Sequence, residues 1–256
     1  LARELRLAPC ELAALVRPRD VVILHDPQTA GLVPAVHATG ATVIWRCHVG
    51  LDHGNARARE AWDFLSPYLR DADAFVFSRS AFAWEGLPPE KVVVIKPSID
   101  VFSPKNSDQS REQSLSILAR AGLTTQPATG GAIFTRSDGS PGRVDRRAEM
   151  LEEAPLSPEC PLVTQVSRWD RLKDPLGVLW GFAEHVADRV PGDLMLAGPA
   201  TASVADDPEG AEVFATVRAA WHQLPAPIRS RVHRAALPMD DIEENAAIVN
   251  ALQHHA

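Results

Sequence analysis

The sequence predicts an α/β protein with two Rossmann-like blocks, each built on a parallel sheet. Short β-branched runs alternate with amphipathic stretches in residues 20–100, and the alternation resumes after residue 161. A polar stretch rich in glycine and proline separates the two blocks. The length of 256 residues also exceeds that of a typical single domain.

In the first block, apolar runs that carry valine and isoleucine are long enough to form buried strands. The four predicted strands are Asp20–Leu24, Ala41–Trp45, Ala74–Phe77 and Lys91–Ile95. Pro27–His37 is predicted as the helix between the first two strands. A second helix is predicted over Asn55–Arg70, where Trp62, Leu65 and Leu69 recur at helical spacing.

The middle of the chain is different, because it is polar and broken from Phe102 to Cys160. One helix is predicted over Arg111–Ala121, ended by Gly122, and the turn-like Asp138–Gly142 follows. We therefore expect a first domain over residues 1–105, an interdomain segment over 106–160 and a second domain over 161–256.

The second block repeats the alternation of strands and helices. The predicted strands are Leu162–Val166, Leu194–Ala197 and a weak strand over Val232–Leu237, and the predicted helices are Pro175–Val190, Pro208–Leu224 and Asp240–His255. Pro175 suits a first helical turn, where no N–H is needed. Acidic residues at the start of the last helix suit the helix dipole.

The composition excludes several classes of function. Lysine and arginine total 26 against 33 aspartates and glutamates, a net charge of −7, so nucleic acid is not expected as a partner. No apolar stretch is long enough to cross a bilayer, so no membrane partner is expected. The three cysteines lie far apart, which excludes a disulfide framework or zinc spacing and suits a reducing cytoplasm.

Candidate site residues follow the strands, since ligands of open parallel sheets bind beyond the carboxyl ends of the strands. In the first block these residues are His25, Asp26 and Gln28 after one strand, and Arg46 and His48 after the next. Asp26 could accept hydrogen bonds from a sugar, and His48 could donate or accept them. The alternative is that they are hydrogen-bonded structural residues at strand ends.

In the second block, Arg168 and Lys173 lie between a buried strand and a helix N-terminus, and Gly198 follows the next strand. Cations beside a helix N-terminus form an anion site, and a phosphate suits an arginine fork plus a point charge. The alternative is a surface salt-bridge network, because Asp170 and Asp174 share the loop. No glycine-rich phosphate loop or nucleophile elbow is present. The six tryptophans are most simply explained as core or cleft packing.

Several stretches together resemble the glycosyltransferring trehalose synthases of the retaining glycosyltransferase family four, which are related to the retaining trehalose phosphorylases. The stretches are Asp20–Thr29, Val43–His48, Pro97–Asp100, Phe102–Asn106, Asp138–Arg143 and Gln165–Pro175. The resemblance runs over nearly the whole chain. It implies a GT-B architecture, in which the first domain holds the acceptor and the second holds the activated sugar.

The resemblance also implies roles for individual residues. Arg168 and Lys173 match the cations that bind the donor phosphates, with Gly198 beside the donor, and His48 matches a histidine that contacts the transferred sugar. These two cations and His48 are the implied catalytic residues. The remaining candidates, at positions where acceptor contacts are expected, are His25, Asp26, Gln28 and Arg46.

The implied reaction is transfer of glucose from a nucleotide-glucose to glucose, with retention, to form trehalose. The nucleotide-sugar is a substrate, and no cofactor or metal is expected. Front-face retention needs no enzymic nucleophile, unlike a retaining hydrolase with two close carboxylates. A trehalose phosphorylase that uses glucose 1-phosphate is the alternative within the same family.

Family members also carry strands and a glycine-containing loop before the counterpart of Leu1, and an acidic signature after that of Ala256. We therefore expect an internal section of a longer enzyme, with both sheets incomplete and transfer impaired. Open sheet edges could then produce a homo-oligomer. The alternative of another class is a non-catalytic sugar- or nucleotide-binding remnant, or a subunit that completes its sheets with a partner chain.

Overall fold

A computed structural model describes residues 11–125, 131–200 and 208–256 of the chain. It divides into two compact units, Leu1–Ile99 and Asp100–Ala256. Each unit contains a sheet whose strands are mainly parallel, as the alternation of strands and helices predicts.

The first unit contains a four-stranded parallel sheet in the order β1-β2-β3-β4. Its strands are β1 Val21–His25, β2 Thr42–Cys47, β3 Ala74–Phe77 and β4 Val92–Val94. Trp45 and Phe77 lie in its core, 1% and 0% exposed, with their rings edge to face. Large buried aromatic rings of this kind contribute much of the apolar area that holds a small unit together.

The helices of the first unit are shorter than the sequence predicts. Between β1 and β2 lie a 3-10 helix, Pro27–Leu32, and helix α1, Val33–His37. Between β2 and β3 lie helix α2, Ala56–Leu65, and a 3-10 helix, Ser66–Leu69. Proline at the start of the second 3-10 segment lacks the N–H that would continue the α-helical ladder. Two short 3-10 helices, Ser80–Phe82 and Pro89–Lys91, precede β4.

The second unit contains a four-stranded sheet in the order β7-β10-β9-β8, with a two-stranded hairpin beside it. Its strands are β5 Ile133–Thr135, β6 Pro141–Arg143, β7 Glu149–Leu151, β8 Leu162–Val166, β9 Asp193–Pro199 and β10 Val232–Leu237. Strands β8, β9 and β10 are parallel, whereas β7 pairs antiparallel with β10. Strand β10, predicted to be weak, is buried along its whole length.

Helices cover both faces of the second sheet. They are α3 Arg111–Arg120, α4 Pro175–His185, α5 Pro208–Gln223, α6 Ala226–Arg229 and α7 Ile242–His255. Leu194 and Leu196 face α4 and α5, and Met195 and Ala197 face the cluster that contains α3 and α7. Within the described ranges, none of the helices combines the length and the apolar character that a membrane crossing requires.

The predicted interdomain segment, residues 106–160, lies within the second unit. Strand β7 extends that unit's sheet, and Ile117, Leu118 and Phe134 are buried in the same cluster as Ile248 of α7. The physical reason is that β9 and β10 are buried on both faces, so one face needs this segment as cover. Dense glycine and proline interrupt the apolar spacing, which is why the sequence shows only a polar, broken stretch.

A buried histidine joins β7, β9 and β10 at one end of the second sheet. His233 is 1% exposed, and its two ring nitrogens lie 3.1 Å from Glu152 Oε2 and 3.0 Å from Asp193 Oδ2. Burial lowers the pKa of His233, but the hydrogen bonds to these two carboxylates outweigh burial and leave the pKa above its usual value. Asp193 is also 3.6 Å from Arg231 Nε, so the cluster holds two cations and two anions when His233 is protonated.

We expect this cluster to make the free energy of unfolding depend on pH. A raised folded-state pKa means that the stabilisation is fully present below pH 6.5 and is lost as pH rises through the folded-state value. The free energy of unfolding is measured with urea on both sides of pH 6.5. In the unaltered chain it should decrease as pH rises, and in His233→Gln this decrease should be absent. His185→Gln is the control, because the His185 side chain is 69% exposed. An unchanged pH dependence in His233→Gln would contradict the assignment.

Candidate functional site

The carboxyl ends of β1 and β2 bring three of the predicted site residues together. His25 is paired with Arg46 in the parallel register of the two strands. His25 Nδ1 lies 3.1 Å from His48 Nε2, and the two rings are parallel within 4°. Their centroids are 5.4 Å apart, so the rings contact through this N···N hydrogen bond and not face to face. Both side chains are exposed, so they can exchange this hydrogen bond for one to a ligand.

Asp26 connects the two strand ends through its backbone and its carboxylate. Its Oδ1 accepts the backbone N–H of His48 at 2.7 Å, and its own N–H donates to the Arg46 carbonyl at 2.8 Å. The indole of Trp45 donates to the Asp26 carbonyl at 3.1 Å. These bonds hold Asp26 at φ 66° and ψ 171°, a backbone region that is nearly exclusive to glycine. Residues in such conformations concentrate at functional sites, where the surrounding structure holds them.

The other residues of this edge are less constrained. Gln28 lies exposed in the 3-10 helix after β1, and Arg46 is half-buried on β2. Cys47 is buried, and its thiol donates to the Val49 carbonyl at 3.2 Å. Burial raises the pKa of the Cys47 thiol to about 11, with a smaller contribution from the charge of Asp26. The thiol is therefore neutral near pH 7 and is not an activated nucleophile.

In the second unit, Arg168 and Lys173 lie in the loop that follows β8, as predicted. The Arg168 guanidinium is 3.0 Å from Asp170 Oδ2, and the arginine side chain is 71% exposed. Lys173 is exposed, and no carboxylate of the described residues lies within salt-bridge distance of its ammonium. The loop is held by Asp170, whose Oδ1 accepts the Leu172 N–H at 2.7 Å, and by Gln165, whose amide donates to the Lys173 carbonyl at 2.7 Å.

The salt-bridge network that was the alternative is present in part. Arg168 pairs with Asp170, and Arg171 pairs with Glu212 at 2.7 Å. Lys173 takes no part in it among the described residues. An exposed ion pair contributes only about 0–1 kcal/mol, so an incoming anion can displace Asp170 from Arg168 at small cost.

One backbone N–H at the N-terminus of α4 already has a side-chain partner. Asp174 caps the helix with its Oδ1, which accepts the Gly177 N–H at 2.9 Å. The cap also places a negative charge beside the helix N-terminus, where an anion would have to bind. Asp174 therefore competes with an anion for this helix end, and the predicted phosphate contacts depend mainly on the side chains of Arg168 and Lys173.

Gly198 is needed for packing against Trp169. A Cβ at Gly198 would lie 2.6 Å from the Ser167 carbonyl oxygen and 2.6 Å from Cε2 of the Trp169 indole. That indole is buried, and its N–H donates to the Pro199 carbonyl at 2.8 Å. Trp169 thus anchors the loop of Arg168 to the end of β9. The sequence predicted packing for Trp169, which its burial confirms, but not that it anchors this loop, although its position directly after Arg168 was a signal.

We expect Gly198→Ala to lower the free energy of unfolding by about 1–3 kcal/mol, because an added methyl group overpacks the site. Gly181→Ala on α4 is the matched control, since nothing lies within 4 Å of a Cβ there. Thermal unfolding and near-ultraviolet circular dichroism of the tryptophans would measure both variants. Equal stability of the two variants would show that Trp169 does not need the space at Gly198.

Among the described residues, no three His, Cys, Asp or Glu side chains are grouped so that they could hold a metal ion. The chemistry available at these two sheet edges is therefore hydrogen bonding at His25, Asp26 and His48, and binding of an anion at Arg168 and Lys173.

Comparison with known sequences gives a consistent set of relatives. Residues 7–84 match the family described as "Trehalose synthase, N-terminal domain". The chain is 30% identical over 192 residues to the trehalose synthase of Thermococcus litoralis, and 30% identical over 194 residues to that of Rubrobacter xylanophilus. Each match covers 75% of this chain and 37% of the relative, so the chain spans little more than a third of these relatives.

Solved structures show the fold. One is the UDP-forming α,α-trehalose-phosphate synthase from Burkholderia xenovorans in complex with glucose-6-phosphate, with a TM-score of 0.59, 13% identity, and coverage of 96% of this chain and 55% of that chain. An E. coli structure, described as trehalose-6-phosphate bound with UDP-2-fluoro glucose, has a TM-score of 0.50, 13% identity, and coverage of 96% and 54%. The predicted GT-B-like fold class is confirmed by the solved structures, and the resemblance to trehalose synthases is confirmed by the sequence matches.

Proposed function

We propose that this chain is part of a retaining glycosyltransferase that moves glucose from a nucleotide-glucose to a second glucose and forms α,α-trehalose. The observation that carries the proposal is the pair of cations after β8, Arg168 and Lys173, in a chain whose sequence relatives are trehalose synthases. A solved chain of the same fold is bound with a UDP-sugar, which supports a nucleotide-sugar as the donor class.

On the donor side, the role of the cations is to stabilise the leaving group. When the bond between the sugar and its phosphate breaks, negative charge develops on the phosphate and positive character develops on the anomeric carbon. The Arg168 fork can bind two phosphate oxygens, and the Lys173 ammonium supplies a point charge. Cations that are already in place when this charge develops lower the barrier, because little reorganisation is needed.

On the acceptor side, His25, Asp26 and His48 can hold the hydroxyl groups of a sugar. Asp26 orients the backbone of His48 through the 2.7 Å hydrogen bond, and the two imidazoles offer both donor and acceptor nitrogens. Attack by an acceptor hydroxyl on the face from which the phosphate departs retains the configuration. The new C–O bond forms as the old one breaks, and the hydroxyl proton leaves with the phosphate.

Retention by this route needs no enzymic nucleophile. Cys47 is consistent with this route, because burial raises the pKa of its thiol to about 11 and the neutral thiol is not a nucleophile near pH 7. A mechanism through a covalent glycosyl-enzyme would instead require a carboxylate about 5–5.5 Å from a second carboxylate.

The test combines product analysis with a binding measurement. The chain is incubated with glucose and with UDP-, ADP- or GDP-glucose, and the product is identified by NMR. The expected product is trehalose with both glucose units α-linked, and calorimetry should show binding of at least one nucleotide-glucose whatever the turnover. A β-linked product would contradict retention, and failure of every nucleotide-glucose to bind would contradict the donor class. Binding of glucose 1-phosphate alone would favour a phosphorylase.

A further inference from the structure

A cavity of about 610 Å³ lies in the first unit, beside the loop that follows β2. It is bounded by that loop, by one face of α2 and by the 3-10 helix after β3. Its lining side chains include Asp52, His53, Asp63, Trp62, Phe82 and Trp84. His25, Asp26 and His48 are not among the lining residues, so the cavity is separate from the acceptor site proposed above. Its volume lies within the range of small-molecule sites.

Two stacked indoles form the aromatic part of the lining. The rings of Trp62 on α2 and Trp84 are 5.0 Å apart at the centroids and parallel within 4°. Both side chains pack against the core of the first unit, yet both are only half-buried. The two indoles therefore pack against the core with part of their surface and line the cavity with the rest. Packing alone explains the stack but not why both indoles border an open, polar cavity.

Two contacts hold the part of the lining formed by Asp52 and Phe82. Arg79 binds the Asp52 carboxylate at 2.8 Å, and its guanidinium lies 5.6 Å from the centroid of the Phe82 ring. A Cβ at Gly50 would overlap the Phe82 ring, so glycine is required for this loop to pack against it. The packing of Gly50 against Phe82 and the pairing of Arg79 with Asp52 restrict this part of the lining before a ligand binds, which lowers the entropy lost on binding.

The charges of the lining select against an anionic ligand. Asp52, Asp63 and Glu85 line the cavity, against a single arginine, Arg59, which pairs with Glu85 at 3.6 Å. Since Asp52 also pairs with Arg79, Asp63 is the one lining carboxylate without an ion pair among the described residues, and its charge disfavours a phosphate. Asp63 and His53 make no ion pair among the described residues, so their polar atoms are free to bind hydroxyl groups.

We propose that this cavity binds the ring of a neutral pyranose sugar. The indole surface that the stack leaves at the cavity can pack against the C–H groups of the ring, while Asp63 and Asp52 accept hydrogen bonds from its hydroxyls and His53 donates or accepts them. An ammonium ligand is the competing occupant, because it also binds at an indole face, and choline is therefore included in the test. The inference rests on the cavity and does not depend on the transfer of glucose at the other site.

The test is direct binding of glucose, and separately of trehalose, followed by tryptophan fluorescence and by calorimetry. Saturable binding with a fluorescence change is expected. Asp63→Asn should weaken it by about tenfold, because the substitution replaces a charge-assisted hydrogen bond with a neutral one. Trp84→Ala should abolish the fluorescence change. Asp71→Asn is the matched control for Asp63→Asn, since Asp71 is also exposed but does not line the cavity.

His48→Ala distinguishes this site from the proposed acceptor site, because it should leave the fluorescence change intact. The proposal is overturned if neither sugar binds saturably, or if Asp63→Asn binds as tightly as the unaltered chain. It is also overturned if choline or glucose 6-phosphate binds more tightly than both neutral sugars. Nucleotide-glucose binding at Arg168 is measured separately, so the donor side of the proposed function and this proposal fail independently.

Discussion

Arg168→Ala and Lys173→Ala are each expected to weaken nucleotide-glucose binding by about tenfold or more, since a hydrogen bond to a charged group contributes about 1.5–3 kcal/mol. If the proposed transfer takes place, each variant should also lower kcat by about 10²–10³, because the interaction strengthens as charge develops on the leaving phosphate. Calorimetry with the nucleotide-glucose and initial rates of trehalose formation would measure the two effects.

Arg171→Ala is the matched control for these variants. It removes the same charge from the same loop, but Arg171 is paired with Glu212 at 2.7 Å and faces α5. We expect little change in affinity for this variant. The affinity of Arg168→Lys for nucleotide-glucose should lie between those of the unaltered chain and Arg168→Ala, because lysine keeps the charge and loses the planar fork. Affinities of Arg168→Ala and Lys173→Ala equal to that of Arg171→Ala would remove the phosphate assignment.

Glu244→Ala is expected to cause the largest loss of stability, about 3 kcal/mol or more. Glu244 is 1% exposed, and its Oε1 accepts the backbone N–H groups of Asp145 and Arg146, each at 2.7 Å, while its Oε2 pairs with the Arg146 guanidinium. Removing the carboxylate leaves two backbone donors without their partner and an arginine without its ion pair. The midpoint temperature of thermal unfolding should fall by about 2–4 °C for each kcal/mol of stability that is lost.

Two further variants separate the contributions at this site. Glu244→Gln keeps an oxygen for the two backbone N–H groups, so it should lose less stability than Glu244→Ala. Glu184→Ala is the control for loss of a glutamate from a helix, because the Glu184 side chain is 64% exposed on α4. If Glu244→Ala unfolds at the same temperature as Glu184→Ala, the connection between β6 and α7 is not held by this carboxylate.

The local pattern was enough to predict most strands and the meeting of two strand ends. Parallel strands place their carboxyl ends at one edge, so the strand pattern alone predicts that His25 and His48 are neighbours. The 3.1 Å contact between their ring nitrogens agrees with that expectation. The strained backbone of Asp26 could not be predicted, because it depends on hydrogen bonds from Trp45 and His48, which are distant in sequence.

Three features required the folded chain. Asp174 turns its carboxylate onto the helix end that the sequence offered to an anion, and Gly198, which the resemblance places beside the donor, also leaves room for an indole. The stack of Trp62 and Trp84 also depends on how α2 packs beside the loop after β3. Each case concerns the direction of a side chain, which residue spacing along the chain does not specify.

The sequence was sufficient for the elements with a clear period: the parallel strands, the helices between them, and the charged residues at the strand ends. These depend on local backbone preference and on the alternation of apolar residues, and both can be recognised in a short stretch of sequence. The position of residues 106–160 depended on packing, since Ile117, Leu118 and Phe134 become core only when β9 and β10 present an apolar face to cover. Burial of that face is a property of the assembled unit, and no short window of sequence contains it.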